Sequence, residues 1–364
     1  MGFNEIIFFS LFIVFIVGML MLDLGVFGKK KHVISFKEAA SWSAVWLMFT
    51  LVFYMILDTH GDLIHGINNY DELVAARDKY AKHVTLFPDN YEASLQSYRD
   101  NMSLEFITGY FVEYALSVDN IFVIILIFTA FGVREKYYKE VLLWGILGAI
   151  CMRFIFIFTG AALMNKYEWI IYIFGGFLVF TGIKMYLQRN QEEKIDTSKH
   201  PLIRFVSKYF PVYPKYVNDK FFVKVNNKWS LTPLFLVLLM VEFTDLIFAV
   251  DSVPAVFSVT KDPYIVFFSN IFAILGLRSM FFFLTNIMHL FHYLKIGLSI
   301  LLVFIGGKMI FHSQLEAIGF QTTHSLFIIL GILALSVILS LVFPKKEVSR
   351  AVYSFLFIFS TIPV

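Results

Sequence analysis

Cysteine is all but absent from this chain: of 364 residues, Cys151 alone carries a thiol. A single thiol excludes an intrachain disulfide and a thiolate metal cluster, and its place inside an apolar run reads as a small core residue. The motifs His-Glu-x-x-His and Gly-x-Gly-Asp are both missing. A membrane metallo- or aspartyl hydrolase therefore lacks its machinery, and the chain is expected not to be an enzyme. The net charge of +3 comes without a compact basic domain or a nucleic-acid-binding motif, so nucleic acid is not an expected partner. Water-soluble character is missing as well. Apolar residues make up 59% of the chain and aromatics 18%, with a mean hydropathy of +0.74, so most of it belongs in a lipid bilayer.

Continuous apolar runs of about 20 residues cross hydrocarbon as helices, whereas barrel strands alternate over shorter segments. The runs predict an all-α, polytopic membrane helix bundle of about nine spans, near 3–27, 40–57, 105–132, 140–163, 168–188, 231–258, 263–286, 289–312 and 324–343. The first run has no basic leader region and no clear cleavage site, and it contains Asp23, so it is expected to remain as a helix.

Basic residues of the connecting segments set the orientation. Segment 28–39 holds Lys29, Lys30, Lys31 and Lys37; 133–139 holds Arg134, Lys136 and Lys139; 189–230 holds nine Lys or Arg; and the tail holds Lys345, Lys346 and Arg350. The alternate connections are poorer, and 58–104 carries four basic against eight acidic residues. This bias puts the N-terminus outside and the C-terminus in the cytoplasm. Contact of 189–230 with anionic headgroups is the plain reading of its charge. The chain divides into two N-terminal spans (1–57), an extracytoplasmic segment (58–104), a three-span unit (105–188), a cytoplasmic segment (189–230), a second three-span unit (231–312), and a last span with its tail (313–364).

Two of the apolar runs carry acids. One reads Val112-Glu113-Tyr114-Ala115-Leu116-Ser117-Val118-Asp119-Asn120; the other runs from Val241 to Pro254 and includes Glu242, Asp245, Asp251 and Ser252. Ionisable groups at membrane depth are costly and mark ion or substrate paths. Aligning Asp119 with Asp251 pairs Glu113 with Asp245 and Asn120 with Ser252. Arg153 then pairs with Arg278, and Val179–Met185 with Val303–Met309. Units of three helices are odd in number, so the second enters the membrane from the opposite side. Inverted repeats of this kind are a common plan for secondary transporters, with the site at the repeat interface.

Residues seven apart return to one helix face, which aligns Glu113, Ser117 and Asn120, and separately Asp245, Ala249 and Ser252. Asp119 and Asp251 point elsewhere on regular helices. The six-residue spacing separates paired acids by about 9 Å along the axis, so one ion needs ligands from both units or an unwound turn. Pro254 cannot bond to Val250, and a distorted backbone is expected beside Asp251. Carboxylates, an amide and hydroxyls are hard donors suited to Mn²⁺, Ca²⁺ or Mg²⁺, and no histidine falls in either acidic stretch; His289 and His292 read as interfacial. Arg153 and Arg278 read as buried counter-charges, and Gly175, Gly176, Gly306 and Gly307 as helix-packing contacts.

The pattern Glu113-x-x-Leu116-Ser117-x-Asp119-Asn120, the pattern Glu242-x-x-Asp245-x-x-Phe248-Ala249-x-Asp251-Ser252-x-Pro254-Ala255, and Asn270 with Gly276-Leu277-Arg278 together resemble the TerC family of integral membrane proteins. Leu22-Asp23-Leu24-Gly25 is similar to that family's early acidic position. The resemblance covers about 1–343 and leaves segment 58–104 unmatched. It implies a divalent-cation exporter of a bacterial inner membrane, with Mn²⁺ as the transported ion and Ca²⁺ or another divalent cation as alternatives. The residues expected to line the cation path are Glu113, Asp119, Asn120, Glu242, Asp245, Asp251, Ser252 and Asp23. Proton uptake by emptied carboxylates is the natural counter-step. The alternative function is a membrane assembly factor that supplies metal to exported proteins, with 58–104 as its docking surface. The oligomeric state is left open.

Overall fold

The computed structural model describes residues 3–23, 36–167, 169–188, 201–225, 228–287 and 293–343. The side chains of Asp23 and Asp119, the residues His289 and His292, the basic stretches 24–35 and 189–200, and the tail from Pro344 lie outside the described residues. The elements in order are α1 (Phe3–Asp23), α2 (Phe36–His60), α3 (Tyr70–Tyr80), α4 (Tyr91–Ala130), α5 (Tyr138–Lys166), α6 (Ile170–Leu187) and α7 (Pro201–Tyr209). A hairpin of β1 (Phe222–Val225) and β2 (Lys228–Leu231) follows. The chain continues with α8 (Pro233–Phe257), α9 (Pro263–Leu275), α10 (Leu277–Ile287), α11 (Leu294–Ile310), α12 (His312–Ala317) and α13 (Thr322–Val342).

The protein is a membrane helix bundle. Six helices, α2, α4, α5, α6, α8 and α13, are long and apolar enough to cross a membrane, and the bent pair α9–α10 makes a seventh. A helix stands at each of the nine expected places, but α11 has only 17 residues and the described apolar part of α1 covers 7–19.

Four elements differ from the sequence expectation. Helix α4 runs for 40 residues, starting well before 105, because Asn90 caps it by accepting from the Ala93 N–H at 3.0 Å and the helix then continues through polar residues. At about 1.5 Å per residue it is roughly 60 Å long, about twice the hydrocarbon thickness. An antiparallel hairpin pairs Phe222 with Leu231 and Lys224 with Trp229 in a chain expected to be all-α. Helix α8 stays helical through Pro254, which lies within three residues of its end, where few backbone bonds remain to be lost. The interrupted span is instead α9–α10, bent by 42° at Gly276.

The core is built around α9. Every residue from Ile265 to Leu275 is buried, so this helix is enclosed all round, with Ser269 and Asn270 as its polar positions. Phe12 of α1 packs on Phe268 at 4.5 Å between ring centroids, and Phe53 of α2 contacts Phe272 at 4.8 Å and Phe106 of α4 at 5.1 Å. Outward-facing apolar side chains such as Met55, Phe180 and Phe327 are exposed, as lipid contact requires.

Helices α6 and α11 approach closely through glycine. A Cβ on Gly182 would sit 2.7 Å from the Ser299 carbonyl and 2.8 Å from Val303 Cγ2; one on Gly306 would meet the Gly175 carbonyl at 2.5 Å and Val179 Cγ2 at 2.9 Å. Contacts run from Gly182–Ser299 at one end to Gly175–Gly306 at the other, so the two helices are antiparallel. Gly176 and Gly307 have open space around them. Of the four glycines expected to pack, only Gly175 and Gly306 do so.

Candidate functional site

The centre of the site is Arg153 on α5, whose side chain is 0% exposed. Its Nη1 donates to Glu113 Oε1 of α4, to Asn270 Oδ1 of α9 at 2.6 Å, and to Ser252 Oγ of α8 at 3.4 Å. Its Nη2 forms an ion pair with Asp245 Oδ1 of α8 at 3.5 Å. Four helices therefore converge on one guanidinium. Glu113 is fully buried and the Asp245 side chain is 14% exposed. Asn270 is itself held by donating from Nδ2 to the Val266 carbonyl at 2.9 Å.

Several polar atoms here are left over. Glu113 Oε2, Asp245 Oδ2, Ser117 Oγ and Asn120 Nδ2 are buried without a hydrogen-bond partner among the described residues. Ser117 and Asn120 continue the face of α4 that Glu113 starts. A narrow cleft lined by Gly145, Ala149, Val241, Ile274 and Leu277 opens beside Asp245.

The remaining expected residues lie around this centre. The Glu242 carboxylate fills the space over Gly148 of α5, where a Cβ would collide with it. Asp251 turns to α6 and accepts from Thr181 Oγ1 at 3.3 Å, with Lys184 close enough to interact electrostatically. Among the described residues, no hydrogen bond or ion pair joins it directly to Arg153, Glu113 or Asp245. Asp119 is on α4 by its backbone and Asp23 closes α1, but their side chains lie outside the described residues. Arg278 is buried at the start of α10, just past the bend. Among the described residues, no group of three or more His, Cys, Asp or Glu side chains is arranged to hold a metal ion.

A second polar cluster joins segment 61–104 to the bundle. His65 Nε2 pairs with Asp262 Oδ2 at 3.2 Å, and His65 Nδ1 contacts the Tyr98 hydroxyl at 3.1 Å. Thr260 Oγ1 donates to Glu105 Oε2 at 2.5 Å and accepts from the Asp262 N–H at 3.1 Å. His83 Nε2 lies 3.7 Å from Glu105 Oε1. Asp262 also caps α9 by accepting from the Tyr264 N–H at 2.9 Å. Sequence reasoning did not assign roles to these residues, nor to Thr181. Glu105 and Asp262 stand at the edges of apolar runs, where an acid reads as a span end facing water.

Known proteins resemble the chain along most of its length. The family described as Integral membrane protein TerC family matches residues 98–348. An "Uncharacterized membrane protein STKORF319" of Myxococcus xanthus is 42% identical over 331 residues, covering 91% of each chain. A protein of Escherichia coli strain K12 named "Putative membrane-bound redox modulator Alx" is 38% identical over 335 residues, covering 90% of this chain and 92% of its own. An "Uncharacterized membrane protein" of Rickettsia bellii is 37% identical over 326 residues. No solved structure matches.

Proposed function

For this chain, which belongs to the TerC family of integral membrane proteins, we propose export of a divalent metal cation, with Mn²⁺ as the preferred substrate. One observation carries the reading: Glu113 and Asp245, on two different helices, bracket a single buried cation, the Arg153 guanidinium. Two carboxylates balance the charge of one divalent ion. The unused oxygens of Glu113, Asp245 and Ser117 are hard donors of the kind Mn²⁺ accepts. Here Arg153 stands in the substrate's place and offsets one of the two carboxylate charges while no ion is bound. The substrate enters as Arg153 releases Glu113 and Asp245 while keeping its bond to Asn270. Asp251, with Thr181 and Lys184, forms a separate station on the path.

The transport cycle follows from the pairing of units. Nine spans, with 105–188 and 231–312 as inverted repeats, are supported by the antiparallel contact of α6 and α11. Under the alignment of Gly182 with Gly306, Ser299 corresponds to Gly175 and Val303 to Val179, so each glycine packs on the counterpart of the other's neighbours. Rocking of one unit against the other exposes the site alternately. Carboxylates that release their ion take up protons, which makes the export a proton antiport. The chain acts as a transporter, not an enzyme, in the inner membrane with its N-terminus outside. The name of the Escherichia coli relative refers to redox modulation; with one cysteine, this chain has no thiol pair, and a redox effect would run through the metal pool.

The test is Mn²⁺ efflux from proteoliposomes. Glu113→Gln and Asp245→Asn are each expected to abolish it; wild-type flux in both variants overturns the reading. The alternative, metal delivery to exported proteins, draws on the tie of segment 61–104 to α4 and α9 through Glu105, Asp262 and His65. Deleting 66–89 separates the two: unchanged flux with lost maturation of exported metalloproteins favours delivery.

A further inference from the structure

The surface between α6 and α8 is unlike the rest of the molecule and takes no part in the cation path. From 201 to 232 it carries six basic residues, Arg204, Lys208, Lys215, Lys220, Lys224 and Lys228, against the single acid Asp219. Five of its aromatic side chains, Phe205, Tyr209, Phe210, Phe222 and Trp229, are exposed. On α7, Leu202, Phe205, Val206 and Tyr209 fall on one stripe. The Phe205 and Tyr209 rings lie 5.0 Å apart, tilted by 57°, with about three-fifths of each exposed. On the hairpin, Lys224 stands opposite Trp229 in register, and these two share an exposed face with Phe222.

This face is rigidly continuous with the membrane span. Phe222 packs on Phe235 in the first turn of α8 at 4.9 Å. The Leu231 N–H donates to the Pro211 carbonyl and the Thr232 N–H to the Phe221 carbonyl, each at 2.9 Å, and Thr232 Oγ1 donates to the Lys220 carbonyl at 2.7 Å. The Tyr216 hydroxyl donates to the Phe131 carbonyl just after α4, at 2.8 Å. The hairpin and its supports are thus pinned to the end of α4 and the start of α8. Exposed aromatic rings interleaved with lysine, held at helix ends, match the composition of a membrane–water interface.

We propose that the face formed by α7 and the hairpin docks onto anionic phospholipid headgroups of the bilayer in which the protein sits, and that this contact seats the first turn of α8. The apolar rings enter the acyl boundary while Lys220, Lys224 and Lys228 meet headgroup phosphates. Because α8 also carries Glu242, Asp245 and Asp251, the lipid contact fixes the height of one wall of the cation path. The docking itself does not depend on what the protein transports.

The experiment uses the full chain with Cys151→Ala as a thiol-free background. A nitroxide label is placed through Phe222→Cys or Trp229→Cys, and through Asp89→Cys as an aqueous reference. The protein is reconstituted in phosphatidylcholine vesicles with and without phosphatidylglycerol. In vesicles containing phosphatidylglycerol, the labels at 222 and 229 are expected to lose accessibility to a water-soluble nickel chelate and gain it to oxygen, while the label at 89 does not change. High salt, or Lys220, Lys224 and Lys228 all changed to Gln, should reverse the shift. Accessibility equal to that at 89 in both lipids overturns the docking. Equal shielding in both lipids, as a second copy of the chain would give, overturns the anionic headgroup as its partner. If the triple variant misfolds, the comparison of lipids with the lysines intact still decides.

Discussion

Glu113 and Asp245, which come from α4 and α8, meet the two terminal nitrogens of the same guanidinium, Nη1 and Nη2, and share its one positive charge. Removing Arg153 strands two buried acids, whereas removing Glu113 leaves Arg153 still paired with Asp245. Arg153→Gln is expected to destabilise the protein by about 3–5 kcal/mol, and Glu113→Gln by less. The double variant should cost clearly less than the sum, read as coupling in a double-mutant cycle of detergent melts. Additive losses would mean that the two side chains do not depend on each other.

The glycine contacts between α6 and α11 give a contrast between two glycines on each helix. Gly182→Ala and Gly306→Ala place a methyl against backbone at 2.7 Å and 2.5 Å, and each is expected to cost about 1–3 kcal/mol by forcing the helices apart. Gly176→Ala and Gly307→Ala meet open space and should be neutral or stabilising by up to about 1 kcal/mol. Thermal melts of the four variants check this. Similar losses at 182 and 306 would follow from their equivalent surroundings.

Gly148 leaves room for the Glu242 carboxylate. The flexible end of Glu242 can move aside, so Gly148→Ala is expected to keep or raise the melting temperature while displacing that carboxylate. If Glu242 touches the cation in transit, the variant shows a raised KM for Mn²⁺ in vesicle efflux with a native fold. An unchanged KM would remove Glu242 from the path.

Tyr216 ties the basic segment to the end of α4, and burial raises its phenol to about 12. A phenol whose folded value is raised supplies its stability below its unfolded value, near 10, and loses it as pH rises through 12. Tyr216→Phe removes the donor to Phe131 at a cost of about 1 kcal/mol at neutral pH. The difference between wild type and variant should shrink between pH 10 and 12 in alkaline melts. A constant difference across that range would separate the hydroxyl from the attachment.

The bundle was legible where the chain carries long apolar runs, and the three charges at its centre stood out because each interrupts such a run. Glu113, Asp245 and Arg153 could be picked out singly. Asn270 could only be noticed as a residue of the family pattern, since its partner comes from another helix. Helix could be expected within 58–104, but its continuity with the span was hidden, because residues such as Gln96 and Asp100 carry no membrane signal and the helix continues on capping and local packing. Proline drew attention to α8, yet the bend fell at Gly276, where neighbouring helices set the geometry. The hairpin escaped because its strands have four residues each and hold together against the start of α8. Expected residues Asp251 and Glu242 were identifiable as buried acids, but which neighbour each would meet depended on how α5 and α6 pack.

Helix α4 has a further consequence as a single rod. It is continuous from its cap at Asn90 through Glu105 and Glu113 to Ala130, so its water-exposed end cannot stay still if its buried part tilts. For a rod of about 60 Å, a tilt of roughly 10° at one end sweeps the other through about 10 Å. The segment beyond the membrane thus works as a pointer: a distance label near residue 91 magnifies rearrangements around Glu113 that are too small to read where they occur.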